Sequence, residues 1–293
     1  MVPSVVFDHI LTTLQELHVR PVVVLCGDQQ QQQPIATVDG KIRPTTSVLQ
    51  NKALYKNSVV VNFINQHRCV DQEFQEILNV VSYYKPSRRT LKALHGNRIL
   101  CSSNPSDEEL LSVLQNHPDG MILTVSKAAT AIINRIAVQN LFPETDLCGQ
   151  VVFDNDDGCQ PLYKGMKVII TQNRDKQLHV VNGQCATVIT MQNQTVFLRL
   201  PNEYVIALYP VTKTVDNITT TCHPFVPAYA STICKVQGQN LCKIILWLDS
   251  PCVPHGSAYV ALSRIRQLKD VYFVTQTDPE QYKPIEHFAQ LIL

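Results

Sequence analysis

The sequence lacks an excess of charge of either sign. Its 293 residues include 25 Lys and Arg against 24 Asp and Glu, which gives a net charge of +1. A protein that attracts nucleic acid through its overall charge is thereby excluded, so any such binding needs a local groove. Hydrophobic residues make up 45% of the chain and charged residues 17%. This composition predicts a globular protein with a substantial core and about two domains.

Membrane spans and cysteine frameworks are missing as well. No apolar run approaches the roughly 18 residues of a membrane span, and the N-terminus lacks the basic-then-apolar order of a signal peptide. Because the cysteines are scattered without a CxxC pair, we interpret them as reduced thiols. One group could suggest zinc, but its spacings match no common structural zinc site, so we expect no metal. That group is Cys222, His223, Cys234, Cys242, Cys252 and His255. We expect an intracellular, reducing compartment, which would be the nucleus if the host is a eukaryote.

The first half of the chain alternates helical and strand-like patterns. Apolar residues at helical spacing predict a helix over 4–18 with Ser4 as its N-cap. Short continuous apolar runs bounded by Pro or Gly predict strands that are buried on both faces of a parallel sheet. A strand followed by a loop and a helix is the βα unit of an α/β fold. The predicted strands are "PVVVLCGD" (21–28), "SVVVNFIN" (58–65) and "GMILTVS" (120–126), and the further helices cover 71–84, 107–116 and 127–142.

From about residue 160 the pattern changes to short alternating runs separated by turns. They are "GMKVIIT", "GQCATVIT", "TVFLRL" and "YVIALYP". They predict a small antiparallel barrel inserted in the α/β frame, and we interpret Val181-Asn182-Gly183 as a tight turn. Afterwards "KIILWLD" and "DVYFVT" restore buried strands, with helices over 257–265 and 279–291. Because an insertion with close ends need not interrupt a sheet, we expect "ILTVS" and "KIILWLD" to share one sheet.

The stretch "CGDQQQQQP" places an acid directly after a predicted strand. Asp28 and the glutamines would then lie at the carboxyl edge of a parallel sheet, where ligands bind. A polar surface turn is the alternative.

Four stretches together resemble the motifs of superfamily-one helicases, in the class of RecD and the Pif-type helicases. One of them is "NQHRC", which places Arg68 directly after a predicted buried strand. The family pattern Gly-Asp-x-x-Gln-x-Pro-Pro lies over Gly27, Asp28, Gln31 and Pro34, with Gln33 where a proline is usual. This match favours a loop at a nucleotide site over a low-complexity tract.

The other two motifs lie near the end of the chain. Thr-Ile-His-Lys-Ser-Gln-Gly lies over 232–238 and departs at Cys234 and Val236. Tyr-Val-Ala-Leu-Ser-Arg-x-Arg is matched in full by 259–266.

The resemblance implies a RecA-like P-loop NTPase helicase fold. We expect a truncated first RecA-like domain over 1–65, and a second in two parts over 66–155 and 216–293. An SH3-like β-barrel over 160–213 would be inserted between the parts. The resemblance further implies an ATP-dependent DNA helicase of the repair, replication and recombination class that moves 5′ to 3′. Its cofactors would be ATP and Mg²⁺, and its partner single-stranded DNA.

The resemblance also implies roles for the nucleotide-binding residues. Gln31 would sense the γ-phosphate, and Arg264 and Arg68 would stabilise the charge that spreads over its oxygens, as guanidinium groups do. For each arginine, a surface salt bridge is the alternative. Gly27, Asp28 and Gly238 would complete the nucleotide site.

A translocase must ignore sequence, so its DNA contacts should be donors directed at the backbone. Thr232, Lys235 and Gln237 fit that requirement. Thr124 stands at a strand end where the family typically contacts the DNA backbone, whereas Ser126 and Asn134 could equally be capping or structural residues.

Two features of such an enzyme are missing from the sequence. It has no Gly-rich loop ending in Gly-Lys-Ser or Gly-Lys-Thr, and no acidic pair for Mg²⁺. The family's acidic motif commonly reads Asp-Glu-x-Ser-Met-Val, and the chain opens with "MVPSVVFDHI". We therefore expect the C-terminal fragment of a helicase, inactive as an isolated chain. The alternative is a non-catalytic nucleic-acid-binding or scaffold protein derived from a helicase.

Overall fold

The computed structural model describes residues 3–38, 41–45, 47–48, 58–61, 68–154, 158–175, 177, 180–215 and 218–285. The helices are α1 Ser4–Glu16, α2 Gln72–Tyr83, α3 Arg88–His95, α4 Asp107–Asn116, α5 Lys127–Asn140 and α6 Ser257–Leu262. The strands in the first part of the chain are β1 Ile35–Val38, β2 Lys41–Pro44, β3 Met121–Thr124, β4 Leu147–Val152, β5 Cys159–Tyr163 and β6 Lys167–Ile170. They continue with β7 Cys185–Gln192, β8 Thr195–Arg199, β9 Val205–Leu208, β10 Val211–Val215, β11 Ile218–Cys222, β12 Phe225–Pro227, β13 Ala230–Thr232, β14 Ile244–Trp247 and β15 Val271–Phe273.

A parallel four-stranded sheet in the order β13-β3-β14-β15 organises the α/β part. Strand β3 pairs with β14 in the register Leu123 to Leu246, although their sequence positions lie on either side of the antiparallel segment. The prediction that "ILTVS" and "KIILWLD" share a sheet is confirmed.

Helices cover both faces of this sheet, which explains its continuous apolar runs. Ile122 and Ile245 pack in one core cluster with Ile133 of α5. Leu123 and Leu246, the next residues along the same strands, belong to a second cluster that also holds core residues of α2. Successive side chains of a strand point to opposite faces, so both faces are buried.

The helices predicted over 71–84, 107–116 and 127–142 are confirmed, and each begins at a side-chain cap. Asp71 accepts from Phe74 N at 3.1 Å at the start of α2. Ser106 caps α4 within a capping box, and Ser126 accepts from Ala129 N at 3.0 Å at the start of α5. These bonds satisfy amide groups that the first helical turn leaves without partners.

The alternating runs form a five-stranded antiparallel sheet in the order β12-β6-β7-β8-β9. Residues 181–184 form the expected turn, in which Gln184 N donates to Val181 O at 3.1 Å. In the sequence, the hairpin β4-β5 precedes this sheet, and the hairpin β10-β11 lies between its strands β9 and β12. An antiparallel unit is thus confirmed, while its SH3-like character and the domain boundaries stay predictions.

The strand predicted over 21–28 is wrong. These residues form no strand, and Val22 and Val24 are 92% and 75% exposed. An apolar run becomes a buried strand only beside strands that accept its hydrogen bonds, and no described strand pairs with it. Residues 58–61 of the second predicted strand are likewise exposed and form no strand, and 62–65 lie outside the described residues.

Helix boundaries differ at three places. The first helix is confirmed over 4–16, but Pro3 and not Ser4 occupies its N-cap. The helix predicted over 257–265 ends at Leu262. Of the helix predicted over 279–291, only Pro279–Gln281 is helical, as a 3₁₀ turn. Residues 282–285 form no helix, so the prediction is wrong there, and 286–291 lie outside the described residues.

In the part of the chain that the structure describes, no helix combines the length and apolar character that a bilayer crossing requires. All ten cysteines are unpaired.

Candidate functional site

Three strands of the parallel sheet end side by side. Thr232 of β13 and Trp247 of β14 each pair with Thr124 of β3. Beyond β13, a 3₁₀ turn over Ile233–Val236 carries Lys235. This is the carboxyl edge of the sheet, where loops of α/β proteins bind ligands.

The segment 232–238, hereafter the lysine loop, runs from the buried end of β13 to solvent. Lys235 is exposed, whereas Thr232 is 8% exposed at the strand end. Gly238 closes the segment with a φ of +87°, in the left-handed region that a residue without Cβ adopts without strain. The lysine loop therefore combines an exposed cation with a tight turn.

The segment 27–34, hereafter the glutamine loop, rests on the start of α6. Gln32 Nε2 donates to Ser257 Oγ at 2.6 Å, and this contact is buried. A Cβ built on Gly256 would lie 2.7 Å from Gln30 O, so only glycine permits this approach of the two backbones. Gly27, at the start of the segment, is exposed.

A chain of side-chain hydrogen bonds joins the glutamine loop to both neighbouring elements. Tyr259 of α6 donates to Asp28 Oδ2 at 2.9 Å, and Gln31 Nε2 donates to the same oxygen at 3.1 Å. Gln237 Nε2 of the lysine loop donates to Gln31 Oε1 at 2.8 Å. Burial, and after it the negative charge of Asp28, raises the pKa of Tyr259, so its hydroxyl remains a donor.

Two guanidinium groups meet at Ser263, directly after α6. Arg68 donates to Ser263 O at 2.9 Å. Arg264, 2% exposed, donates to Val260 O at 2.9 Å, to Gln239 O at 3.3 Å and to Ser263 Oγ at 2.7 Å. Burial, and after it the charge of Arg68, lowers the pKa of Arg264.

Neither arginine forms an ion pair with a carboxylate of the described residues. The surface salt bridge that was the alternative for each of them is therefore not seen in this part of the chain. Paired guanidinium groups without a carboxylate suit an anion such as a phosphoryl group.

The three residues predicted near the end of β3 and in α5 all make contacts within the protein. Thr124 is fully buried, and its hydroxyl contacts Thr130 Oγ1 at 2.6 Å. Ser126 is the helix cap already described. Asn134 accepts from Ala230 N at 2.9 Å and donates to Ala230 O at 3.1 Å, so it pairs with the backbone of β13. Of the predicted DNA contacts, Lys235 is exposed and Gln237 is half-buried on the lysine loop, whereas Thr124 and Thr232 are both buried.

Asp249 was missed by the sequence analysis. Its carboxylate follows β14 and accepts from Val125 N at 2.7 Å and from Ser126 N at 3.2 Å. It thereby fixes the turn between β3 and α5. An acid directly after an apolar run, as in "PVVVLCGD", was the signal that could have identified it.

The described residues do not fit a Mg²⁺ ion. Asp28 is the carboxylate at the glutamine loop, and its oxygens already accept from Tyr259, Gln31 and Gln30 N. Within the described ranges, no group of three or more His, Cys, Asp or Glu side chains could hold a metal ion.

The chain thus combines a parallel sheet covered by helices on both faces, polar loops at the carboxyl edge of that sheet, and an antiparallel segment between its strands. Solved structures with this fold are Pif1 helicases. The Pif1 helicase from Candida albicans aligns with a TM-score of 0.70 at 16% identity, over 100% of this chain and 74% of that chain.

Bacterial Pif1 structures align over less of their length. Pif1 from Bacteroides in complex with ADP-AlF3 and single-stranded DNA gives a TM-score of 0.59 at 21% identity, over 85% of this chain and 63% of that chain. Bacteroides Pif1 bound to single-stranded DNA gives 0.55 at 22% identity, over 78% and 54%. The chain thus spans about half of the latter protein. The sequence matches no family model and no curated protein.

Proposed function

We propose that this chain is the single-stranded DNA-binding part of an ATP-dependent DNA helicase of the Pif1 type. The observation that carries the proposal is the direct bond between its two candidate sites, from Gln237 Nε2 of the lysine loop to Gln31 Oε1 of the glutamine loop, 2.8 Å. A translocase needs such a connection, because nucleotide turnover at one site must change the hold on DNA at the other. The fold that the chain shares with Pif1 structures supports the same function.

The nucleotide half of the proposal rests on Arg68 and Arg264. Arg68 donates to the carbonyl oxygen of Ser263 and Arg264 to its hydroxyl, and Arg264 interacts electrostatically with Asp28 of the glutamine loop. ATP, when bound, would supply the phosphoryl group whose negative charge these guanidinium groups would stabilise. This chain would contribute the two guanidinium groups and the amide of Gln31, with Gly27, Asp28 and Gly238 shaping the loops around them.

The phosphate loop and the Mg²⁺ ligands would have to come from polypeptide outside the given sequence. We propose on this basis that the chain acts within a longer product, which moves 5′ to 3′ and serves repair, replication or recombination. Residues 1–65 would belong to the first RecA-like domain, 66–155 and 216–293 to the second, and 160–213 to an SH3-like barrel.

The DNA half rests on the lysine loop. Lys235 would contact a phosphate, and Thr232 and Gln237 would donate to backbone oxygens without reading bases. Cys234 stands where the family has histidine, which removes a ring that could stack on a base or donate to phosphate. We therefore expect weak binding.

Fluorescence anisotropy with a labelled oligothymidine tests this half. Lys235→Ala should weaken binding at low salt and make the salt dependence shallower by about 0.7 in the logarithmic slope, the value for one phosphate contact on a single strand. Lys269→Ala is the matched control, because Lys269 is exposed but precedes β15, at the opposite edge of the sheet. No binding at low salt, or equal effects of the two variants, would contradict the proposal.

A non-catalytic scaffold derived from a helicase is the second candidate. It is favoured by one observation, namely that the buried Arg264 directs its hydrogen bonds to oxygens of its own chain. Transcript sequence upstream of Met1 separates the candidates, since an in-frame phosphate loop and Asp-Glu motif support the enzyme and a stop codon supports the scaffold.

The isolated chain should show no DNA-stimulated ATPase activity under either candidate function. Turnover that disappears in Arg264→Ala would refute this expectation.

A further inference from the structure

We propose that Tyr259 is a positioning residue which couples the glutamine loop to the lysine loop, so that single-stranded DNA on the lysine loop tightens the glutamine loop. The coupling to DNA rests on the DNA binding proposed above. The contact of Tyr259 with the glutamine loop does not depend on it.

The hydrogen-bond chain fixes both ends of the Gln31 amide. Its nitrogen donates to Asp28 Oδ2, and its oxygen accepts from Gln237 Nε2. A reversed amide would set two donors against each other at Gln237 and two acceptors against each other at Asp28, so the network selects one orientation. Tyr259 completes it by donating to the oxygen that Gln31 also uses.

The glutamine loop does not follow a sheet strand, because residues 19–26 before it form no helix or strand. Three contacts hold the loop at α6: the hydrogen bond from Gln32 to Ser257, the close packing of the loop backbone against Gly256, and the hydrogen bond from the Tyr259 hydroxyl to Asp28. A hydrogen bond to a charged acceptor is among the stronger of such contacts. Removal of the Tyr259 hydroxyl should therefore loosen this segment more than the remainder of the protein.

The lysine loop meets the same network from the other side. Lys235 lies two residues before Gln237, within one short turn that ends at Gly238. A phosphate on Lys235 would restrict this turn, and the bond from Gln237 would pass the restriction to Gln31. The inferred route is thus phosphate, Lys235, Gln237, Gln31 and Asp28, with Tyr259 as its anchor on α6.

Hydrogen exchange of the full chain without DNA tests the anchor. Tyr259→Phe keeps the ring and removes the hydroxyl, so exchange of a peptide over 26–34 should rise on the order of tenfold, the consequence of one lost bond to a charged group. Tyr282→Phe is the matched control, because it removes a fully buried hydroxyl that contacts Thr277 and not the glutamine loop. An unchanged 26–34 peptide, or an equal rise over 243–248 in β14, overturns the proposal.

Exchange in the presence of oligothymidine tests the coupling. DNA should slow exchange over 26–34 in the unmodified chain and in Tyr282→Phe, and should leave it unaffected in Tyr259→Phe although anisotropy still detects binding. DNA-induced slowing that persists in Tyr259→Phe overturns the coupling. Absence of any DNA binding refutes the proposed function and the coupling with it, while the DNA-free comparison still decides the role of the Tyr259 hydroxyl.

Discussion

Gly256 offers a direct measure of how firmly the glutamine loop is held. Its φ is +76°, and a Cβ at this position would lie 2.7 Å from Gln30 O and 3.1 Å from Gln32 N. Those atoms are backbone and cannot rotate away. Gly256→Ala must therefore displace either the loop or the start of α6.

Gly165 provides the matched control. Its φ is +81°, but nothing lies within 4 Å of a Cβ built there. Gly165→Ala should therefore lower the free energy of unfolding only by the cost of holding an alanine in the left-handed backbone region, about 1 kcal/mol. Gly256→Ala carries the same cost and, if the loop detaches, loses the Gln32–Ser257, Tyr259–Asp28 and Gln237–Gln31 bonds. At about 1 kcal/mol for each bond, the difference between the variants should reach about 2–3 kcal/mol.

Urea unfolding of both variants, followed by circular dichroism, gives the two free energies of unfolding. Limited proteolysis at 26–34 should show faster cleavage in Gly256→Ala and not in Gly165→Ala. Equal free energies together with equal cleavage would mean that the glutamine loop is not seated on α6, and would refute the reasoning.

Two further predictions concern stability and thiol reactivity. Burial alone would raise the pKa of Asp154, but hydrogen bonds from Lys213 and Thr171 and the charge of Lys213 hold that pKa below its usual range. Asp154→Asn should therefore lower the free energy of unfolding by about 1–2 kcal/mol near neutral pH. The loss of stability in Asp154→Asn should be fully present above the ordinary aspartate pKa of 3.8 and should shrink as the pH falls below that value. Urea unfolding midpoints of both proteins, measured from neutral pH to below 3.8, check this. Glu280→Gln, in the exposed Lys85–Glu280 pair, is the control and should change the midpoint little. Mass spectrometry after brief alkylation should find the exposed Cys26, Cys234 and Cys252 modified before the half-buried Cys101. Desolvation, and after it the charge of Glu109, raises the pKa of Cys101 to about 11, so little of its thiol is the reactive thiolate. Modification of Cys101 as early as that of the exposed cysteines would contradict this prediction.

Patterns of apolar residues predicted the helices that bury one face and the strands that are buried on both faces. Helices α2, α4 and α5 and strands β3 and β14 follow from such patterns. Helix α3 was missed because Leu91 and Leu94 are too few to define a period in a mostly polar segment. The hairpin β10-β11 was missed because its threonines carry no apolar signal, although Thr212 and Thr221 face each other across the strands with their hydroxyls 3.2 Å apart.

The sequence could propose candidate site residues, but it could not predict how they are arranged. The helicase motifs predicted Gln31, Gln237 and Arg264 from separate stretches. That Gln237 bonds to Gln31 depends on a contact between residues 206 positions apart in the sequence. The inward orientation of Thr124 depends on Thr130 one helical turn into α5. Local patterns contain neither piece of information.

The contrast between "PVVVLCGD" and "KIILWLD" explains why the glutamine loop depends on side chains. Both runs are apolar and both end in an acid, so the sequence predicts the same buried strand for each. Residues 244–247 lie between β3 and β15 and form that strand, whereas 22–25 have no described strand beside them and are exposed. An apolar run therefore indicates that a segment can be buried, but the segment forms a strand only where neighbouring strands accept and donate its backbone hydrogen bonds. The position of Asp249 is fixed because it directly follows a paired strand, whereas the position of Asp28 depends on contacts with Tyr259, with Gln31 and with the backbone around Gly256. We infer from this difference that substitutions on α6 will disturb the glutamine loop more than substitutions in the exposed run that precedes it.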